Sequence, residues 1–265
     1  MNSTNDSFVA TVTVLTKAST SLNLILGLPT NGYVLWLIAS RVGGIKASEI
    51  FSFSLAVNEI LYCLFSCVLF LEEQLRKMHL QNVVSVSSVL IGMGRPLFQT
   101  CICLERYLAV VHPVVFLRYK PLRYRLACSA LVCMVQTVYA LAFFVIEDQI
   151  LFNIYLTQYI FLVSLNLFCC LSVLRALKHS GPGEGERKGG SDIKMRAFKI
   201  ILFILVTMML AYFPWIAVFI AFQRNWEGDF FRARSLCFSI TVVTGFVQPL
   251  LYLHRTGRLP CITGI

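Results

Sequence analysis

Ile201-Leu202-Phe203-Ile204-Leu205-Val206-Thr207-Met208-Met209-Leu210-Ala211-Tyr212-Phe213-Pro214-Trp215-Ile216-Ala217-Val218-Phe219-Ile220-Ala221-Phe222 contains no charged side chain. A bilayer core of roughly 30 Å is crossed by about 20 apolar residues in a helix. Within lipid the backbone must satisfy its own polar groups, which a helix does. The run therefore reads as the core of a membrane-spanning helix. Six further stretches of similar size flank it. The set is Ser19–Ser40, Ser48–Leu71, His79–Val111, Tyr124–Ile146, Ile150–Leu177, Asp192–Phe222 and Arg232–His254. Composition agrees: 57% of the 265 residues are hydrophobic and 14% charged, against about 25% charged in soluble domains. The mean hydropathy is +0.74. The expectation is an all-α bundle of seven transmembrane helices spanning 19–254. An N-terminal tail (1–18) precedes it and a short C-terminal tail (255–265) follows.

A net charge of +10 points to nucleic acid in a soluble protein; here its distribution reports orientation instead. Sixteen of the 23 Lys and Arg residues lie on the first, third and fifth connections, at Arg106 and in the C-terminal tail. Six lie on the other side: Lys17, Arg76, Lys77, Arg224, Arg232 and Arg234. Arg95 lies within a span. Basic residues accumulate on the cytoplasmic side, so the expectation is an outer N-terminus, a cytosolic C-terminus and residence in the plasma membrane. Two glycosylation sequons, at Asn2 and Asn5, fall on the expected outer tail. The stretch 181–190 is rich in Gly and charge and reads as a flexible linker between the fifth and sixth spans. No leader with a basic start and an apolar run opens the chain. Nine of the ten cysteines sit in spans and Cys261 in the tail, so neither a disulfide framework nor a metal spacing emerges, and no cofactor is expected.

Two charges stand out by depth alone: Glu59 mid-way along the second span and Arg95 mid-way along the third. A lone charge at a helix centre costs about 2.5–3.5 kcal/mol on insertion scales. Opposite charges on neighbouring helices relieve that cost by pairing, and the Arg fork suits a carboxylate. Separate solvation in a water-filled cavity relieves it too. The residues leave both open, as they do a structural against a switching role. Arg106, three turns beyond Arg95 on the same face, belongs to the triplet Glu105-Arg106-Tyr107.

The run Leu104-Glu105-Arg106-Tyr107-Leu108-Ala109-Val110-Val111-His112-Pro113 resembles the end of the third helix in rhodopsin-like G-protein-coupled receptors. Other landmarks fall on the corresponding spans in order. They are Asn31 within Leu28-Pro29-Thr30-Asn31-Gly32, Leu55-Ala56-Val57-Asn58-Glu59, Phe213-Pro214, and Gln248-Pro249-Leu250-Leu251-Tyr252. The style is closest to the branch of nucleotide, formyl-peptide, protease-activated and hydroxycarboxylic-acid receptors. The resemblance implies that Glu105 holds Arg106 at rest and that Arg106 meets the Gα C-terminal helix of a heterotrimeric G protein. It also implies that Val114 enters an apolar Gα pocket, that Pro214 and Pro249 kink their helices, and that Tyr252 moves inward. It places Ser88, Val89, Gly92, Tyr155, Gln158, Trp215, Phe219, Phe222, Arg234 and Phe238 around a ligand pocket; the same residues also suit ordinary helix packing. Arg224, Arg232 and Arg234 fit an anionic or lipid-like ligand, or a solvated rim balanced by Glu227 and Asp229.

Departures from the family pattern are many. Glu59 stands for aspartate, Gln248 for asparagine, Cys170 for tyrosine and Tyr212 for tryptophan. Leu162 stands for a proline, the fourth span lacks its tryptophan, and Gln81 stands where a cysteine closes the outer disulfide. Arg95 occupies the place beside the second-helix acid where relatives bind sodium, which yields the expectation that its guanidinium replaces the ion. No nucleophile motif, metalloprotease motif or intramembrane aspartate pair supports an enzyme, and the seventh span has no lysine for retinal. A transporter using Glu59 as a proton relay and a non-signalling decoy receptor are the competing readings.

Overall fold

In the computed structural model the residues described are 14–41, 44–75, 89–119, 121–142, 144–146, 148–178, 188–223 and 230–256. Among them the regular structure is entirely helical. Helix α1 runs Val14–Ala39, α2 Ile50–Leu75, α3 Arg95–Val111 and the short α4 Pro113–Arg118. Then come α5 Leu122–Ala142, α6 Asp148–Lys178, α7 Lys188–Gln223, α8 Phe230–Gly245 and α9 Val247–Arg255. Helices α8 and α9 together make the seventh crossing. Helix α7 begins at Lys188, so the last three residues of the stretch read as a linker are helical. Of the third span, 79–88 lies outside the described residues, as do the sequons at Asn2 and Asn5.

Six of the crossings are long and apolar enough to traverse a bilayer. The other, α3, is less apolar because it is buried in protein rather than lipid. It packs against α2, α5 and α6, and its buried face carries Arg95, Gln99, Thr100 and Glu105 beside Phe98 and Cys103. The outer helices turn Trp36, Leu131, Phe161, Phe203 and Phe213 outward, as expected where lipid is the solvent. This is a seven-transmembrane helix bundle.

Four apolar clusters close the seams between helices. Cys103, Tyr159, Cys170, Met208 and Tyr212 join α3, α6 and α7. Val34, Ile38, Ala56 and Leu253 join α1, α2 and α9. Tyr62 and Val242 meet Leu90, and Leu55, Phe98 and Val132 join α2, α3 and α5.

Prolines shape the local backbone, each in its own way. A helical proline lacks its N–H and presses on the carbonyl four residues back. Ahead of Pro29 and of Pro96 the helix widens into a π-turn, Asn23–Gly27 and Leu90–Gly94 respectively. The amide of Leu28 then bonds Asn23 O, and that of Arg95 bonds Leu90 O, one residue further back than in an α-helix. Pro249 acts otherwise: the helix breaks at Phe246, three residues before it, separating α8 from α9. Pro214 lies inside an uninterrupted α7.

Candidate functional site

The π-turn before Pro96 delivers Arg95 into the centre of the bundle. Its side chain is among the most deeply buried of the described residues, at 1% exposure, and Glu59 from α2 is at 3%. Arg95 Nε donates to Glu59 Oε1 at 2.6 Å and Nη2 donates to Oε2 at 2.5 Å, a two-pronged fork. Its remaining arm, Nη1, donates to the Thr241 carbonyl of α8. Space for the guanidinium exists because residue 245 is glycine: a Cβ there would lie 2.6 Å from Nη2.

Thr241 extends the arrangement. Its hydroxyl accepts from Trp215 Nε1 of α7 at 2.7 Å and donates to Cys237 O at 2.8 Å. The pair on α2 and α3 is thereby connected through one residue of α8 to an indole on α7. One turn away, Tyr212 donates its hydroxyl to Gln99 Oε1 of α3. A second polar knot lies beside the π-turn. Gln136 Nε2 of α5 donates to Asn58 Oδ1 at 3.0 Å, and Asn58 Nδ2 donates to Leu90 O at 3.1 Å. Gly94 is required there, since a Cβ would fall 2.3 Å from Asn58 Oδ1.

At the end of the bundle that carries Arg41, Arg106 and Arg125, the triplet on α3 meets two other elements. Glu105 Oε1 accepts from Arg125 Nη2 of α5 at 2.7 Å, and both residues are buried. The Arg125 guanidinium lies 5.5 Å from the ring centroid of Phe116 on α4. Tyr107 reaches His112 Nε2 at 3.0 Å and packs on Phe168 of α6. Arg106 is half-buried, whereas Val114 is 80% exposed. Across the same end, Tyr252 of α9 donates to Glu49 Oε1 at 3.2 Å, and Arg41 Nη1 holds that oxygen at 2.9 Å.

Several of the residues expected to line a ligand pocket are described. Gly92 faces Tyr155, whose ring meets Tyr139 edge-on. Gln158 accepts from the Tyr139 hydroxyl and lines an open groove with Asn153, Ile154, Thr157 and Phe161. Phe238 packs against Tyr62, Leu90 and Val242. Val89 is buried. The side chains of Ser88, Phe219, Phe222 and Arg234 lie outside the described residues.

Residues 30–153 match the model of the rhodopsin-family seven-transmembrane receptors, a stretch that includes Asn31, Glu59, Arg95 and the Glu105-Arg106-Tyr107 triplet. Over that stretch, nearly half of the chain, it is similar to the rhodopsin-like receptors. It is also similar, at 22% identity, to hydroxycarboxylic acid receptor 2 of Rattus norvegicus, in an alignment covering 90% of this chain and 74% of that receptor. Within this bundle the described cysteines are free thiols. Four residues of the site escaped sequence reasoning. Thr241 gave no signal, because its backbone oxygen does the binding. Gln136 did: a glutamine inside an apolar span calls for a partner. Arg125 and Glu49 merged into the charge of the connections.

Proposed function

We propose that this receptor sits in the plasma membrane with its basic end in the cytosol and relays binding of an outer ligand to heterotrimeric G proteins. The observation that carries the reading is the juxtaposition at the basic end. Half-buried Arg106 lies in the last two turns of α3, and directly after that helix α4 presents Val114, exposed on a helix with no buried residue. An arginine beside an unpartnered apolar side chain suits a helical, partly apolar guest such as the Gα C-terminus. The chain performs no chemistry in this role; ligand and G protein select among helix arrangements, and nucleotide exchange occurs on the G protein.

The same reading assigns Pro214, Pro249 and Tyr252 to the moving parts. Tyr252 leaves Glu49 for the bundle interior as α7 swings outward. Arg95 stands in for the sodium ion of related receptors and neutralises Glu59 permanently. A carboxylate held by two guanidinium bonds is a poor proton relay, so the transporter reading loses its support. For the ligand we propose an anion of the carboxylic-acid class, supported by the name of the rat relative and by Arg224, Arg232 and Arg234 near the sixth and seventh spans.

The test is nucleotide exchange on a panel of Gα subunits, using wild type and Arg106→Ala in membranes at matched receptor levels. Small carboxylic acids, anionic lipids, nucleotides and peptides serve as stimuli. Exchange driven by wild type and reduced at least tenfold in Arg106→Ala is expected. Silence of every Gα under every stimulus, basal exchange included, points to the decoy receptor.

A further inference from the structure

Helix α4 poses a physical problem. It has six residues, Pro113–Arg118, and none of them is buried. Helices this short do not persist in water on propensity alone, because nucleation outweighs the few bonds gained. Its sequence offers little help, since Val114 and Val115 are β-branched and poor helix formers. Something outside α4 must therefore fix it, and the structure shows two fasteners. At its start, His112 meets Tyr107 of α3. In its middle, half-buried Phe116 lies beneath the guanidinium of Arg125.

Arg125 is suited to that task because it is itself immobile. It lies near the start of α5 at 5% exposure, and its Nη2 is bonded to Glu105 Oε1, a carboxylate at 9% exposure. A flat guanidinium can present its edge to a carboxylate and its face to an aromatic ring at once; an ammonium cannot. The three partners come from α3, α4 and α5, so one side chain ties the end of α3 to both following elements.

We propose that Arg125 is a positioning residue that fixes α4, and with it Val114, by bracing Phe116 against the Glu105 end of α3. The proposal rests on the reading of this end as the G-protein face. It also alters the role of Glu105, which is shared between the bracket and its neighbour Arg106. Removing Arg125 releases α4 and leaves the whole carboxylate to Arg106, and both effects lower coupling.

The experiment has two arms on the full-length receptor in lipid nanodiscs. In the first, backbone hydrogen exchange is followed over 114–119 in wild type, Arg125→Gln, Arg125→Lys and Phe116→Ala. Exchange there should accelerate about tenfold in Arg125→Gln and in Phe116→Ala, the scale of one charge-assisted bond and one cation–ring contact. Arg125→Lys should recover part of the protection, and amides of α1 over 28–39 should not change. If Arg125→Gln does not fold, which loss of α1 protection reveals, Phe116→Ala and Arg125→Lys decide alone. Unchanged exchange over 114–119 in variants whose α1 stays protected overturns the proposal. In the second arm, Gα nucleotide exchange should fall several-fold in the variants whose α4 is released. Released α4 with undiminished nucleotide exchange also overturns it. If wild type activates no Gα, the G-protein reading fails by itself, while the first arm still decides whether Arg125 fixes α4.

Discussion

Removing one partner of a buried ion pair is far more damaging than removing both, because the survivor keeps its desolvation cost and loses its compensation. Arg95 and Glu59 provide a direct trial, since each is nearly inaccessible and the fork between them is two-pronged. Arg95→Met should destabilise the receptor by about 3–5 kcal/mol, the usual cost of breaking such a pair, read as a lowered melting temperature in detergent. The double variant Glu59→Leu/Arg95→Met should recover most of that loss. A double variant no more stable than the single one would show that the two residues do not act as a unit. A related trial concerns the proposed exchange of a guanidinium for sodium. The melting temperature of wild type should be the same in sodium chloride and in choline chloride at equal ionic strength, and a clear rise in sodium counts against the substitution.

At the scale of elements, α2, α3 and α5 are held by amides as well as by apolar contact. Gln136, Asn58 and the Leu90 carbonyl form a chain across three helices. Interhelical hydrogen bonds of this kind contribute about 0.6 kcal/mol on average and up to about 1.7. Gln136→Leu should therefore lower stability by about 1 kcal/mol, and the double variant with Asn58→Leu should lose less than the sum of the two single losses, because both remove the Gln136–Asn58 bond; full additivity in thermal unfolding would refute the chain. These elements also show how far the residues alone could lead. The spans were legible because lipid demands twenty apolar residues in a row, and Glu59 and Arg95 because charge at that depth is costly. The register of α3 was not, since Pro96 converts a turn of α-helix into a π-turn and alters which side chains face inward above it. Nor was Arg125 as a partner of Glu105: adjacency in the chain pointed to Arg106, and Arg125 reaches the carboxylate from another helix. The pocket was the least legible part, because aromatic residues that line a cavity and those that fill a seam, as Phe238 does, read alike.

For the molecule as a whole, the separation of its two ends is the property on which the functional reading depends. If the basic end is cytosolic, the N-terminal tail passes through the secretory lumen and its sequons are open to glycosylation. Receptor expressed in animal cells should then shrink on gels after glycosidase treatment, and Asn2→Gln/Asn5→Gln should abolish that shift. A wild-type band indifferent to the enzyme would leave the charge asymmetry as the only support for the orientation. Between those ends a hydrogen-bonded path runs from Glu59 through Arg95 and Thr241 to Trp215.

The guanidinium at the centre of that path differs from a dissolved cation in one respect that matters to a cell. An ion in a protein site obeys mass action: its occupancy follows the salt around it and falls when the protein moves from extracellular fluid into a compartment of other composition. A cation covalently tethered to α3 has a local concentration that no bath can dilute. On the proposed replacement of sodium by this guanidinium, the neutralisation of Glu59 should be as complete in an internal vesicle as at the cell surface, and the balance between helix arrangements should not track the salt on either side of the membrane.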